Sequence, residues 1–238
     1  MPSGSLDVVN GVMARQGAKP PSQGLTVRII SAAVMIPPVV AVVVLGTPYF
    51  EILVAAGSIV AAWEWANLCG RRGGWLALGA LYIGVPSVAL VYLRGDPVLG
   101  METVLWVFAL VWAADTGAYG FGTVIGGPKL APAISANKTW AGLAGAILCS
   151  GLVGAIAAAL LELGGEMRLT AISAGIGMAS QAGDLAESWI KRHFRKKDTS
   201  DIIPGHGGLL DRIDSLLAAS LVVGGVSATE LGSVLQWM

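Results

Sequence analysis

The sequence predicts an all-α, polytopic transmembrane helical bundle of about seven spans, with its N-terminus in the cytoplasm. Three observations predict it. Hydrophobic residues make up 55% of the 238-residue chain and charged residues only 13%, against about a quarter in an ordinary soluble domain. Apolar runs recur at lengths near the roughly 20 residues that carry a helix across about 30 Å of hydrocarbon. The cations gather in alternate connections between those runs, which is the positive-inside pattern.

Residues 1–24 are polar and turn-rich, with Pro20-Pro21. They lack the short apolar core and small-residue cleavage site of a secretory signal, so they read as an N-terminal tail ahead of a single transmembrane domain over 25–238. The expected spans are 27–46, 49–68, 75–93, 99–120, 140–161, 169–189 and 210–229. The first carries Pro37-Pro38 and is expected to kink there, because proline removes a helical hydrogen bond. The last has room to continue to Met238 past a break near Gly224-Gly225.

With the N-terminus inside, Arg15, Lys19 and Arg28, then Arg71 and Arg72, then Lys129 and Lys138, then Lys191, Arg192, Arg195, Lys196 and Lys197 all fall on the cytoplasmic side. Arg94 and Arg168 fall opposite, and Arg212 lies at the mouth of the last span. The net charge is +0 and no basic-aromatic interleaving occurs, so no nucleic-acid partner is expected. Cys69 and Cys149 lie near or within apolar runs and read as small apolar side chains.

Acidic residues inside or beside the spans carry the chemistry, because ionisable groups at membrane depth are costly and tend to line sites. Glu51 and Glu64 lie near span ends, where an interfacial carboxylate is expected. Asp115 sits in ADTGAYGFGTVIGGPK, near the cytoplasmic end of the fourth span, where the alternative is a small-residue packing site. In the sixth span Asp184, Glu187, Ser188 and Lys191 fall at spacings of 3, 4 and 7, on one helical face. In the seventh, Asp211 and Asp214 share a face. Asp184, Asp211 and Asp214 thus point to a centre for Mg²⁺, which favours oxygen ligands and keeps waters and phosphates. The alternative is a set of separate salt bridges to Lys191, Arg192 and Arg212.

Between those helices lies PGHGG, residues 204–208. Glycines bring backbone N–H groups close to an anion, and a following helix adds free first-turn donors. The alternative is a basic loop resting on anionic headgroups. Carboxylates for a metal and cations and glycines for phosphates, all at a membrane surface, suggest metal-assisted phosphoryl or nucleotidyl transfer on a lipid.

The run Ser188-x-x-Lys191-Arg192, then Lys197-Asp198, Ser200, Ile203-Pro204, His206-Gly207-Gly208 and Asp211-Arg212-Ile213-Asp214 resembles the motif of phosphatidate cytidylyltransferases. The stretches 114–129 and 134–142 also look like that family, with Asn137, Lys138 and Thr139 matching; Ala136 stands where the family often has Pro, and Ala141 where it often has Glu. The likeness spans about 110–228, the expected catalytic half.

The resemblance implies conversion of CTP and phosphatidic acid in the bilayer to CDP-diacylglycerol and pyrophosphate, with Mg²⁺ and room for a second cation, at the inner membrane with the site facing the cytoplasm. By matched position, Asp184, Asp211 and Asp214 would be metal ligands. Lys197, His206, Gly207, Gly208 and Arg212 would hold phosphates, with Ser188, Lys191 and Arg192 close enough to share the task. Asn137, Lys138 and Asp115 are placed in the same site, and Asp198 as a cap or salt-bridge partner. A homodimer is an open alternative. The rival functions are a CDP-archaeol-like synthase, a CTP-dependent polyprenol kinase and a secondary transporter.

Overall fold

The structure, a computed structural model, describes residues 34, 36–203, 207–230 and 233–237. The expected tail, the start of the first span, and Pro204, Gly205 and His206 lie outside the described residues. From Pro38 onward the chain forms one compact unit, distinct from residues 1–37.

The helices are α1 (Ile36–Leu45), α2 (Tyr49–Leu68), α3 (Gly73–Arg94), α4 (Gly100–Val124), α5 (Trp140–Leu160), α6 (Glu166–His193) and α7 (Leu210–Glu230), followed by a 3₁₀ turn, Val234–Trp237. Helices α2, α3, α4, α5 and α7 are long and apolar enough to cross a membrane. Each coincides with an expected span, with ends that differ by a few residues. The bundle is helical, as expected, with one small addition. Between α4 and α5 lies an antiparallel hairpin of β1 (Lys129–Ala131) and β2 (Ser135–Thr139), pairing Lys129 with Thr139 and Ala131 with Ser135. Strands of three and five residues are too short to leave a period-two signal.

Helix α6 is 28 residues long but too polar to stand with the apolar five. Its polar side chains face inward: Ser173, Ser180, Gln181, Glu187 and Lys191 are all buried. Neighbouring α5 turns Leu148, Leu152, Ile156 and Leu160 outward. Polar groups in the interior and leucines at the rim are the distribution that lipid imposes.

Small residues allow the close approach. A Cβ on Gly117 would come within 2.5 Å of the Gly145 carbonyl, so α4 and α5 meet at their backbones. On α6, a Cβ at Gly183 would strike Ala218 and lie 3.1 Å from the Asp214 carbonyl, so α7 sits against the residue before Asp184. Without a hydrophobic drive between helices in lipid, such small-residue contacts supply much of the association. Around them Val104, Val107, Leu110, Leu169, Ile176, Ala219 and Val223 form the principal apolar core. Trp106 joins it and donates from its indole Nε1 to Ser173 Oγ at 3.2 Å.

The connections sort by end. Lys196 Nζ donates to the Asn67 carbonyl, Arg192 Nε to the Ile134 carbonyl, and the Arg72 guanidinium lies over the Phe194 ring. These contacts gather the α2–α3, α4–α5 and α6–α7 connections at one end of the bundle. At the other end Arg94 Nε donates to the Val43 carbonyl, and Gln236 Nε2 to Asp96. There Asp96 also accepts from the Val98 and Leu99 amides; burial alone would raise its pKa, but these hydrogen bonds prevail and hold it below the usual carboxylate range.

Candidate active site

At the end where the three connections meet, a cavity of about 470 Å³ opens between α4, β2, α5, α6 and α7. Asp115 and Tyr119 face it from α4, Asn137, Lys138 and Thr139 from β2, and Gln181, Asp184 and Lys191 from α6. Asp198 comes from the α6–α7 loop, and Asp211, Arg212, Asp214 and Ser215 from the first turns of α7. Residues 100 positions apart meet here: Ser215 Oγ donates to Asp115 Oδ1 at 3.5 Å.

Two networks organise the walls. In the first, Lys138 Nζ pairs with Asp184 Oδ2 at 2.8 Å and donates to Gln181 Oε1 at 3.2 Å. Gln181 Nε2 donates onward to Asp115 Oδ1 at 2.9 Å, and Ser188 Oγ reaches Asp184 Oδ1 at 3.3 Å. The Thr139 side chain caps α5 by accepting from the Gly142 amide at 3.0 Å, which anchors the residue after Lys138. In the second network, Lys191 Nζ lies 2.7 Å from Glu187 Oε2 and 2.6 Å from Asp211 Oδ1. Asp211 Oδ2 accepts from the Thr199 amide at 3.0 Å and the Gly208 amide at 2.9 Å.

The expected residues therefore divide. Asp115, Asn137, Lys138, Asp184, Lys191, Asp211, Arg212 and Asp214 converge on the cavity. Ser188 touches it only through Asp184. Arg192 is exposed and donates to the Ile134 and Lys196 carbonyls, tying the hairpin to the loop. Lys197 is exposed, and neither it nor Gly207 nor Gly208 is among the cavity-lining residues.

The expectation of free backbone donors at the glycine loop also needs correction. Gly207 N donates to the Ile203 carbonyl, Gly208 N to Asp211, and Leu209 N and Leu210 N to Glu64. Among the described residues these donors are taken up by the protein's own oxygens. The physical reason is depth: a helix start facing the interior must be capped from within.

Glu64 also differs from its expected place. Its place near a span end predicts an interfacial carboxylate, yet it is fully buried. Its Oε1 accepts from Ser200 Oγ at 2.5 Å and Leu209 N at 2.9 Å, and its Oε2 from Leu210 N at 2.7 Å. No local signal marks it, since its partners lie about 135–146 residues away in the chain. Gln181, Ser215 and Tyr119 are further cavity residues that the sequence reading does not single out. Helical spacing could have found Gln181, which lies three residues before Asp184 and seven before Ser188.

The donor atoms on the cavity walls are mostly oxygens. The described walls carry aspartates and amides but no thiol or imidazole, and oxygen-only donors suit Mg²⁺. Asp214 is 7% exposed, whereas the Asp184 side chain is 32% exposed. Among the described residues, one buried oxygen beside them, Glu187 Oε1, meets no hydrogen-bond partner. Among the described residues no three acidic or thiol or imidazole side chains converge as a ready-made cluster. Asp211 in particular has both oxygens engaged by Lys191, Thr199 and Gly208. Cys69 and Cys149 are both free thiols, the first buried.

Residues 70–227 match the model of the cytidylyltransferase family. The chain is 42% identical over 171 residues to a phosphatidate cytidylyltransferase of Brucella suis biovar 1 (strain 1330), covering 72% of this chain and 62% of that protein. It is 34% identical over 206 residues to a phosphatidate cytidylyltransferase of Rickettsia bellii (strain RML369-C), covering 84% of this chain and 89% of that protein. A Staphylococcus epidermidis (strain ATCC 12228 / FDA PCI 1200) phosphatidate cytidylyltransferase is 41% identical over 141 residues, covering 59% and 53%. The chain thus spans 62% of the length of the Brucella relatives it matches.

Proposed function

The chain belongs to the cytidylyltransferase family, and from that premise we propose that it converts CTP and phosphatidic acid to CDP-diacylglycerol and pyrophosphate. One observation carries the reading most: a single cavity at the end of an apolar bundle is walled by Asp184, Asp214, Lys138 and Arg212 together. A soluble triphosphate and a lipid phosphate need such a place, polar enough to take two phosphate groups and set at the end of an apolar bundle.

In the reaction an oxygen of the lipid phosphate attacks the α-phosphorus of CTP. The bond from that phosphorus to the bridging oxygen breaks, and pyrophosphate leaves with the electron pair. The attacking phosphate is already anionic near neutral pH, so no protein nucleophile is needed. Catalysis consists of positioning and charge neutralisation. Asp184 and Asp214 would hold Mg²⁺, with Asp115 behind them, and the ion when bound would neutralise triphosphate charge. Lys138, which pairs with Asp184, would supply its ammonium to a phosphate of the substrate. Arg212 adds positive charge from α7. Asp211 anchors Lys191 and the loop. The assignment to a cytidylyl rather than a phosphoryl transfer rests on the relatives' activity.

Lys138→Met keeps much of the side chain's length and removes its charge. It is expected to lower kcat/KM for CTP by about a hundredfold, the scale of losing one charge-stabilising donor. A steady-state assay following label from CTP into extractable lipid measures this. Unchanged kinetics would remove Lys138 from the site.

We further propose seven spans, with the N-terminus and the cavity on the cytoplasmic side of the inner membrane. The paired helix ends and the cation distribution support this topology. Lys197→Cys, at an exposed position in a background lacking Cys69 and Cys149, is expected to resist an impermeant thiol reagent in intact cells and to react after lysis. Labelling in intact cells would reverse the orientation.

A further inference from the structure

Glu64 takes no part in the proposed chemistry, and it precedes the family match at residues 70–227. It is nevertheless the point where the N-terminal half of the bundle grips the cavity wall. Its side chain is fully buried in the last turns of α2, where an acidic group needs a specific reason to be. All its described partners belong to one segment. Ser200 Oγ and Leu209 N donate to Oε1, and Leu210 N and Thr199 Oγ1 to Oε2, the last at 3.4 Å.

Those four donors bracket the α6–α7 loop. Thr199 and Ser200 follow Asp198, which lines the cavity, and Leu209 and Leu210 immediately precede Asp211. The Thr199 amide also donates to Asp211 at 3.0 Å, and the single hydroxyl proton of Thr199 is shared between Asp211 Oδ2, at 3.0 Å, and the more distant Glu64 Oε2. Glu64 and Asp211 therefore hold Thr199 from two sides. Gly208 lies between them, so close that a Cβ there would stand 2.8 Å from Glu64 Oε1.

We propose that Glu64 is a positioning residue: from α2 it caps the first turn of α7 and ties Thr199 and Ser200 to it, and so sets where Asp211, Arg212 and Asp214 present to the cavity. It does not touch the reacting groups. The proposal rests on the cytidylyl-transfer reading for its kinetic consequence, but not for its structural one.

Glu64→Gln is the informative change. It preserves shape, but the amide nitrogen replaces one acceptor oxygen and turns a donor toward backbone donors. Losing a hydrogen bond to a carboxylate at a buried donor corresponds to roughly tenfold or more in the opening equilibrium of the segment. Two readouts follow. In detergent without substrates, trypsin should cut the Arg195–Lys197 stretch about tenfold faster in Glu64→Gln than in wild type. In the transfer assay, the Mg²⁺ concentration for half-activation and the KM for CTP should both rise several-fold, because the carboxylates and Arg212 are no longer pre-set.

Glu51→Gln is the control. Glu51 lies at the other end of the same helix, where its side chain accepts from Thr47 Oγ1, and the variant should behave as wild type in both. If Glu64→Gln is not recovered from membranes, Ser200→Ala removes one of the four bonds alone and should show the same two effects at a few-fold scale. Wild-type cleavage and wild-type Mg²⁺ and CTP dependence in the folded variant, with only thermal stability lowered, would overturn the proposal. A wild-type protein that fails to make CDP-diacylglycerol would overturn the functional reading instead, and the trypsin comparison would still decide the role of Glu64.

Discussion

Asp214→Asn and Asp184→Asn should each reduce cytidylyl transfer by at least about a thousandfold, the scale seen when a member of a cooperating catalytic set is removed. The expectation follows from the walls of the cavity. Asp214 is nearly enclosed on α7, and Asp184 faces it from α6 across the close contact that Gly183 permits. Asparagine keeps the volume and one oxygen but loses the charge that a divalent cation needs. If the two residues act on one ion, the double variant should be little slower than the worse single one. Asp211→Asn should also be severe, by another route. It would break the ion pair with Lys191 and weaken two backbone bonds to the loop. Its Mg²⁺ dependence should therefore shift less than that of Asp184→Asn. Transfer rates measured across a Mg²⁺ titration separate these cases. Near-wild-type turnover in Asp214→Asn with unchanged Mg²⁺ dependence would leave the aspartates as ordinary ion-pair partners.

Gly208→Val should be the most damaging change outside the cavity, lowering transfer by at least about a hundredfold and folded yield with it. A Cβ at this position would collide with Thr199 Oγ1 and stand 2.8 and 3.0 Å from the two Glu64 oxygens. The Gly208 amide also donates to Asp211 at 2.9 Å. The backbone cannot withdraw without releasing Asp211, and Glu64 cannot withdraw without uncapping α7. Gly208→Ala should show the same defect in milder form. The measurement is transfer activity per correctly folded protein, with yield judged by size-exclusion chromatography. A Gly208→Val protein with wild-type yield and rate would mean that this close packing is dispensable. Packing against carboxylates, rather than an anion held at the amides, thus accounts for Gly208.

How much of this is legible in the chain depends on the range of the signal. The spans are readable because each is a run of about 20 apolar residues, and α2, α3, α4, α5 and α7 appear where those runs lie. Asp184, Asp211 and Asp214 are readable because a carboxylate in such a run is too costly to stand there without a partner or a site, and helical spacing states which face it takes. Lys138 and Asn137 are readable only through the resemblance, since nothing local distinguishes them from loop residues. The hairpin that presents them is not, because strands this short carry no periodicity.

The partners inside the site are the least legible. Helical spacing alone does not show that Lys191 turns to both Glu187 and Asp211, or that Lys138 crosses from β2 to α6. Glu64 is misplaced for the same reason. A carboxylate one turn from a helix end looks interfacial, and only the return of residues 199–210 onto α2 makes it interior. Pair contacts across more than a hundred residues leave no trace in a single sequence.

The central claim is that the cavity transfers the cytidylyl group to a lipid phosphate. The purified protein in detergent, given phosphatidic acid, Mg²⁺ and CTP labelled separately at the α- or the γ-phosphate, tests it most directly. The α-label should appear in lipid and the γ-label in pyrophosphate, in equal amounts. Transfer of the γ-label to lipid with release of CDP, or no labelled lipid at all, would contradict it.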